Sequence, residues 1–248
     1  MQRVAWSPDG LRVATSSEDR SLKIWDASSG ACLHSLHLYY KGYKIFFSTD
    51  GLRLAVQSEK RNFIYDFHSD VPRLLKELPG YPSQGTDLRD AEAIAMSPQG
   101  DRIISGSGHT AEIRSTATGE RLLVLRDHMN TILSVAFSPD GTEVVTCSRD
   151  RTAVVCDSWM GQQHRVYQMS SQARSVAYSP DGDLIAMGDD SGRVKICDAK
   201  SGTFIADLEG HTGRVWQLQF TDDARVLLSG SDDGTLRMWS IRDLIRAR

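Results

Sequence analysis

The 248-residue chain (27.5 kDa) is 40% hydrophobic and 25% charged, with 29 Lys and Arg against 32 Asp and Glu for a net charge of −3. That balance describes a globular domain able to bury a core and excludes an intrinsically disordered chain. The basic block of a nucleic-acid or anionic-membrane binder is missing, no apolar run is long enough to span a bilayer, and residues 1–10 lack the apolar segment of a secretory signal.

Taken in chain order, the elements repeat. Val4-Ala5-Trp6 reads as a short strand that Ser7-Pro8-Asp9-Gly10 reverses, since Pro suits the second and Gly the fourth position of a type I turn. A polar hairpin, Glu18-Asp19-Arg20-Ser21, leads to the alternating strand Leu22-Lys23-Ile24-Trp25, closed by Asp26. The second unit has Ser48-Thr49-Asp50-Gly51 at its turn and Tyr65-Asp66 at its close. An insertion follows at 79–87, with two prolines and two glycines around Tyr81; its readings are a surface loop or a partner-contacting loop anchored by Tyr81. The third unit turns at Ser97-Pro98-Gln99-Gly100, carries His109 at the hairpin, reads Ile113-Arg114-Ser115 at its close and continues into the strand Arg121–Leu125.

The fourth unit restores the pattern with Val135-Ala136-Phe137, Ser138-Pro139-Asp140-Gly141 and Val144-Val145-Thr146. The fifth repeats it with Val176-Ala177-Tyr178, Ser179-Pro180-Asp181-Gly182, Val194-Lys195-Ile196-Cys197 and a closing strand over Thr203–Leu208. The sixth ends with Leu218-Gln219-Phe220, Thr221-Asp222-Asp223-Ala224, Val226-Leu227-Leu228, the hairpin Asp232-Asp233-Gly234-Thr235 and Leu236-Arg237-Met238-Trp239. The turns end at 10, 51, 100, 141, 182 and 224, at intervals of 41, 49, 41, 41 and 42. Four short strands per period of about 41 residues predict an all-β repeat protein.

The period, Trp25-Asp26, Gly210-His211 and the run Ser231-x-Asp233-x-Thr235-x-x-x-Trp239 together resemble the WD-repeat β-propeller family over nearly the whole chain. The resemblance implies six four-stranded blades at about 1–37, 38–78, 88–126, 127–169, 170–209 and 210–241, then a tail at 242–248. It also implies a structural tetrad of His, Ser, Asp and Trp in a complete blade. His211, Ser231, Asp233 and Trp239 form the full set; His128, Ser148 and Asp150 lack the Trp, with Cys156 in its slot; Ser17, Asp19 and Trp25 lack the His. His, Ser and Asp together also suggest a hydrolase, but their repetition in register and the absence of a G-x-S-x-G elbow favour a structural role.

The last blade lacks a visible fourth strand, because Ile241, Leu244 and Ile245 have helical spacing. Three arrangements remain open: a six-bladed ring with one short blade, a portion of a seven-bladed ring, or a ring completed by a partner. The resemblance implies a non-catalytic scaffold that holds a peptide or domain on one face, or else the sensor or targeting portion of a larger enzyme or regulator. Contact positions four residues before each strand-one aromatic or Met are Gln2, Tyr43, Glu92, Leu133, Arg174 and Trp216; those before the hairpin Asp are Glu18, Arg149 and Asp232. Their mixed sign suits a mixed-charge peptide.

A catalytic propeller would need converging carboxylates such as Glu18, Glu92 and Asp232, whose spacing does not demand it. Cys32, Cys147, Cys156 and Cys197 show no C-x-x-C pairing. The expectation is therefore no enzyme activity, cofactor or metal, and free thiols in the cytoplasm or nucleus. The partner expected is a protein or peptide in a multiprotein complex, not nucleic acid or membrane, with a monomer unless the open blade edge pairs with another chain.

Overall fold

The computed structural model describes residues 3–40, 42–58, 61–69, 71–79 and 93–241, with the Tyr43 side chain outside that set. Among the described residues lie 23 strands in six antiparallel sheets. Sheet one holds β1 Arg3–Trp6, β2 Arg12–Ser16, β3 Ser21–Asp26 and β4 Cys32–His37; sheet two holds β5 Gly42–Phe47, β6 Arg53–Ser58, β7 Arg61–Asp66 and β8 Arg73–Pro79. Sheet three comprises β9 Ile94–Met96, β10 Arg102–Ser107, β11 Thr110–Ser115 and β12 Arg121–Leu125.

Sheet four runs through β13 Ile132–Phe137, β14 Glu143–Ser148, β15 Thr152–Asp157 and β16 Gln163–Gln168. Sheet five contains β17 Ala173–Tyr178, β18 Leu184–Asp189, β19 Val194–Asp198 and β20 Phe204–Leu208. Among the described residues the last sheet has β21 Val215–Phe220, β22 Val226–Ser231 and β23 Leu236–Ser240. Most of the inserted segment and the tail, from 80 to 92 and from 242 to 248, lie outside the described residues, and so do Gln2, Tyr81 and Glu92.

The turn chemistry sets this repetition. The Gly10 N–H donates to the Ser7 carbonyl at 2.9 Å, and Asp9 Oδ1 accepts from the Ser7 hydroxyl and the Leu11 N–H. The same bonds recur around Ser48, Ser138 and Ser179, and the closing glycines have φ between 69 and 76°. In the sixth repeat Ala224 occupies that left-handed position at φ 55°, where a Cβ costs about 1 kcal/mol or more.

The chain divides into two compact units: Met1–Glu92, Met96–Ile103 and Ile113–Leu122, and Ala93–Ala95, Ile104–Glu112 and Leu123–Arg248. In the first, alternate residues of sheets one and two bury Leu22, Ile24, Leu54, Val56 and Phe63. In the second, one cluster around Val145, Val155, Ile185 and Met187 lies between sheets four and five, and another around Ile196, Val215 and Leu227 between sheets five and six. Each fully buried aliphatic side chain contributes about 1.5–3 kcal/mol. β23 pairs with β22, and Leu236 and Met238 on one of its faces are 68% and 69% exposed.

No helix of the structure is long and apolar enough to cross a membrane, and no group of three His, Cys, Asp or Glu able to hold a metal occurs among the described residues.

Candidate functional site

The first strand of several sheets carries one residue more than its partner. The register slips between Gly42 and Lys44, Ile132 and Ser134, Ala173 and Ser175, and Val215 and Gln217. The skipped residues are Tyr43, Leu133, Arg174 and Trp216, four of the positions singled out as contacts. A bulge drops its extra residue from the ladder and re-aims the side chain. The structure gives the four bulges different contents, however. Leu133 is buried and offers no surface, because an apolar side chain re-aimed inward stays in the core. Arg174 is also buried, its side chain 4% exposed.

Arg174 is held from two sides. Its Nε and Nη2 donate to the Asp190 carboxylate at 2.5 and 3.0 Å, a bidentate pair that fixes the guanidinium plane. The half-buried indole of Trp216 lies over that plane, 4.5 Å from ring centroid to Cζ. Trp216 Nε1 in turn donates to Asp232 Oδ1. Arg214, 51% exposed, sits between the two carboxylates at 4.0 Å from Asp190 and 3.9 Å from Asp232. The result is one cluster at the β17–β21 side of sheets five and six, with Trp216, Arg214 and Asp232 facing solvent over a locked ion pair.

Asp190 and Arg214 complete the cluster and were not among the predicted contacts. Asp190 adjoins the hairpin, and Arg214 lies two residues before Trp216, so strand alternation toward the sheet's end is the signal that points to it. Of the remaining positions, Glu18 is exposed and Arg149 half-buried.

The tetrad is built differently from its prediction. Trp239 Nε1 donates to Ser229 Oγ at 2.8 Å, and His211 Nε2 lies 2.7 Å from the same oxygen. Ser231 instead donates to the Gly213 carbonyl at 2.9 Å and accepts the Asp233 N–H. The reason is register. Trp239 stands opposite Leu227, and Ser229 is its diagonal neighbour on the same face, while Ser231 is at the strand's end beside the loop. The same correction applies to Ser148, which donates to Asn130 while His128 Nε2 meets Thr146 Oγ1 at 2.8 Å, and to Ser17, since Trp25 donates to Thr15 at 2.8 Å. Cys156, in the Trp slot, points its thiol at Asp127.

Ser229, His211 and Asp233 thus line up as hydroxyl, imidazole and carboxylate, with His211 Nδ1 2.8 Å from Asp233. Asp233 can only accept, so Nδ1 carries the proton and Nε2 accepts from the Ser229 hydroxyl, which itself accepts from Trp239. Ser229 is fully buried and the His211 side chain has no exposure. No substrate atom can reach the hydroxyl, so the arrangement joins strands and does no acyl transfer. The Thr235 hydroxyl, the His211 ring and the Thr235 and Thr212 N–H groups hold the Asp233 carboxyl well below the usual range against the opposing effect of desolvation. Burial would raise Asp150, but hydrogen bonds from Thr152, Met129 and His128 outweigh it. Burial pushes the Cys147, Cys156 and Cys197 thiols up, the last to about 11, which makes them unreactive.

Human apoptotic protease-activating factor 1 is 25% identical over 95% of this chain and 22% of its own length. Eukaryotic translation initiation factor 3 subunit I of Drosophila willistoni is 27% identical over 94% of this chain and 79% of its own. Rat serine-threonine kinase receptor-associated protein is 23% identical over 93% of this chain and 64% of its own. The chain therefore spans about a fifth of the first relative and under two thirds of the third. The model of the WD domain, G-beta repeat, matches residues 2–26, 119–157, 161–198 and 202–240, more than half of the chain. With its six repeated antiparallel sheets, the chain belongs to the WD40-repeat family of β-propeller proteins.

Proposed function

We propose that the protein is a non-catalytic scaffold that binds a peptide or domain of a partner protein within a multiprotein complex. The observation that carries this reading is the Trp216 cluster. The Trp216 ring is held over the buried Arg174–Asp190 ion pair at a solvent-facing end of sheets five and six, with Arg214 and Asp232 placing both signs of charge beside it. A pre-ordered Trp loses little conformational entropy on binding, and Trp and Arg are residue types enriched at hot spots. Arg214 and Asp232 together suit a mixed-charge peptide. The relatives' names support the same class, one being a subunit of an initiation factor and another a receptor-associated protein. The buried thiols fit a reducing compartment, cytoplasm or nucleus.

Because Arg174 belongs to the framework, the test uses Trp216→Ala and Arg214→Glu. Proteins retained by the wild type and lost from a double variant that still unfolds cooperatively support the scaffold; identical retention by both overturns this site.

A second reading has its own support. Among the described residues β23 has no fourth-strand neighbour such as the other sheets have, and Leu236 and Met238 are exposed. Such an edge suits the sensor or targeting portion of a longer regulator, completed by further strands. If so, Leu236→Lys with Met238→Lys reduces self-association of the isolated chain in sedimentation; a wild-type chain that is monomeric throughout contradicts it.

A further inference from the structure

In sheets one, two, four and five the residue two places after the first turn's glycine stands opposite the Asp that closes the third strand. The pairs are Arg12 with Asp26, Arg53 with Asp66, Glu143 with Asp157 and Leu184 with Asp198. Three of these positions are chemically settled. Arg53 Nη1 donates to the Gly100 carbonyl and, at 2.5 Å, to the Thr116 hydroxyl. Glu143 accepts from Arg165 at 2.5 and 2.6 Å and lies 2.8 Å from His164 Nδ1. Leu184 is neutral. Arg12 differs: its guanidinium makes no hydrogen bond among the described residues. Its Nη2 stands 3.8 Å from Asp9, its side chain is 26% exposed, and its Cζ is 5.4 Å from the centre of the Phe67 ring. Five N–H donors on a partly buried, ring-stacked group are thus left for a ligand or solvent.

Arg12 lines a cavity of about 330 Å³ where sheet one meets the turn at 67–69 that follows β7 of sheet two. Strand register sets three of the lining residues on one face of sheet one: Arg12 and Ala14 share that face, Ala14 opposes Ile24, and Ile24 opposes His34. Ile24, Leu33 and Phe67 make an apolar wall, while Arg12, His34 and His68 make a polar one. No Asp or Glu is among the described residues that line the space. The His34 ring has no hydrogen-bond partner among the described residues. His68 Nδ1 is engaged with Asp66, so Nε2 is that ring's remaining polar atom. The neighbouring carboxylates serve their own turns. Asp9 Oδ1 accepts from the Ser7 hydroxyl and the Leu11 N–H, and Asp66 Oδ1 takes the His68 N–H as well as its ring.

We infer that this cavity binds a carboxylate carried on a compact apolar body. The planar fork of Arg12 matches a carboxylate with two parallel bonds, and the imidazoles of His34 and His68 add N–H donors. Ile24, Leu33 and Phe67 cover the apolar part. The volume is at the small end of the range for ligand pockets, about 300–1,000 Å³, so the body is no larger than one ring and its linker. Two sources carry that chemistry: a free small acid, and the C-terminal carboxylate of a protein chain that ends in an apolar residue. The site shares no residue with the Trp216 cluster and stands independently of it.

The test is an NMR titration of the full chain with hydrocinnamate and with a glycine-rich pentapeptide ending in phenylalanine, each beside its neutral C-terminal amide. The better of the two acids is expected to bind with a dissociation constant of about 1 mM or lower, and its amide at least about 10-fold more weakly. Arg12→Met keeps an unbranched stem against Phe67, and Leu33→Glu sets a carboxylate in a wall residue already 46% exposed. Each is expected to weaken the acid at least about 10-fold; Leu33→Glu decides alone if Arg12→Met does not fold. Tighter binding of the free peptide than of hydrocinnamate identifies a protein terminus as the source, and any other order a free acid. Equal binding of acid and amide, or affinity indifferent to the variants, overturns the inference. So does no response to either acid at about 10 mM, well above the expected constant.

Discussion

The Trp216 ring covers the Arg174 guanidinium at 4.5 Å, and Arg174 is at the same time bidentate to Asp190. The two residues come from adjacent sheets, so the stacking also links β17 to β21. Their roles differ. Removing Arg174 leaves the Asp190 carboxylate, 16% exposed, with Arg214 at 4.0 Å as its ion-pair partner among the described residues. Arg174→Ala is expected to cost about 3 kcal/mol in urea unfolding. Trp216→Ala loses a cation–π contact and a partly exposed ring, about 1–2 kcal/mol. Equal costs for both would contradict this division between framework and contact residue.

Ser229→Ala removes a hydroxyl shared by Trp239 and His211, leaving the buried His211 ring and the half-buried Trp239 N–H without it, and is expected to destabilise by about 2–3 kcal/mol. Ser231→Ala loses bonds at the strand's end, about 1 kcal/mol. Denaturant midpoints of the two variants in parallel check the assignment; the reverse order would restore Ser231 to the tetrad.

This serine marks where sequence reading stops. The period, the turns and the number of strands were legible because each repeat spells them with local chemistry, as at Ser138-Pro139-Asp140-Gly141. The tetrad's His and Asp positions were legible for the same reason. Which hydroxyl meets Trp239 depends on the pairing of β22 with β23, and there the diagonal neighbour takes the bond. The positions of Leu133, Arg174 and Trp216 were found by counting, and each falls on a bulge. Whether a bulged residue is buried depends on the neighbouring sheet, some 40 residues away along the chain, which no local pattern reports.

Ala224 adopts φ 55° where five other repeats have glycine. Ala224→Gly relieves the left-handed strain of about 1–2 kcal/mol while adding chain entropy to the unfolded state. The expected net gain is up to about 1 kcal/mol, read as a higher melting temperature. A lower one would show that the turn is unstrained.

Asp26 caps its turn, and the Ser28 and Ser29 hydroxyls with the Ser29 N–H lower its carboxyl from 3.8 to about 2. A depressed carboxyl adds stability above its unfolded value. That stability is lost as pH falls from about 4 through 2, because the unfolded chain binds the proton first. Thermal unfolding across that window should show a shallower decline for Asp26→Asn than for the wild type. Parallel curves would mean that the cap contributes nothing.

The central claim is that partners are held at the Trp216 cluster. Its most direct measurement is site-specific photocrosslinking, with a photoreactive phenylalanine at position 214 and, as control, at the exposed Leu122 of β12. The scaffold reading predicts a discrete protein adduct from position 214, reduced by Trp216→Ala, and none of the same mass from position 122. Adducts from position 122 alone, or an adduct at 214 indifferent to Trp216→Ala, would contradict it.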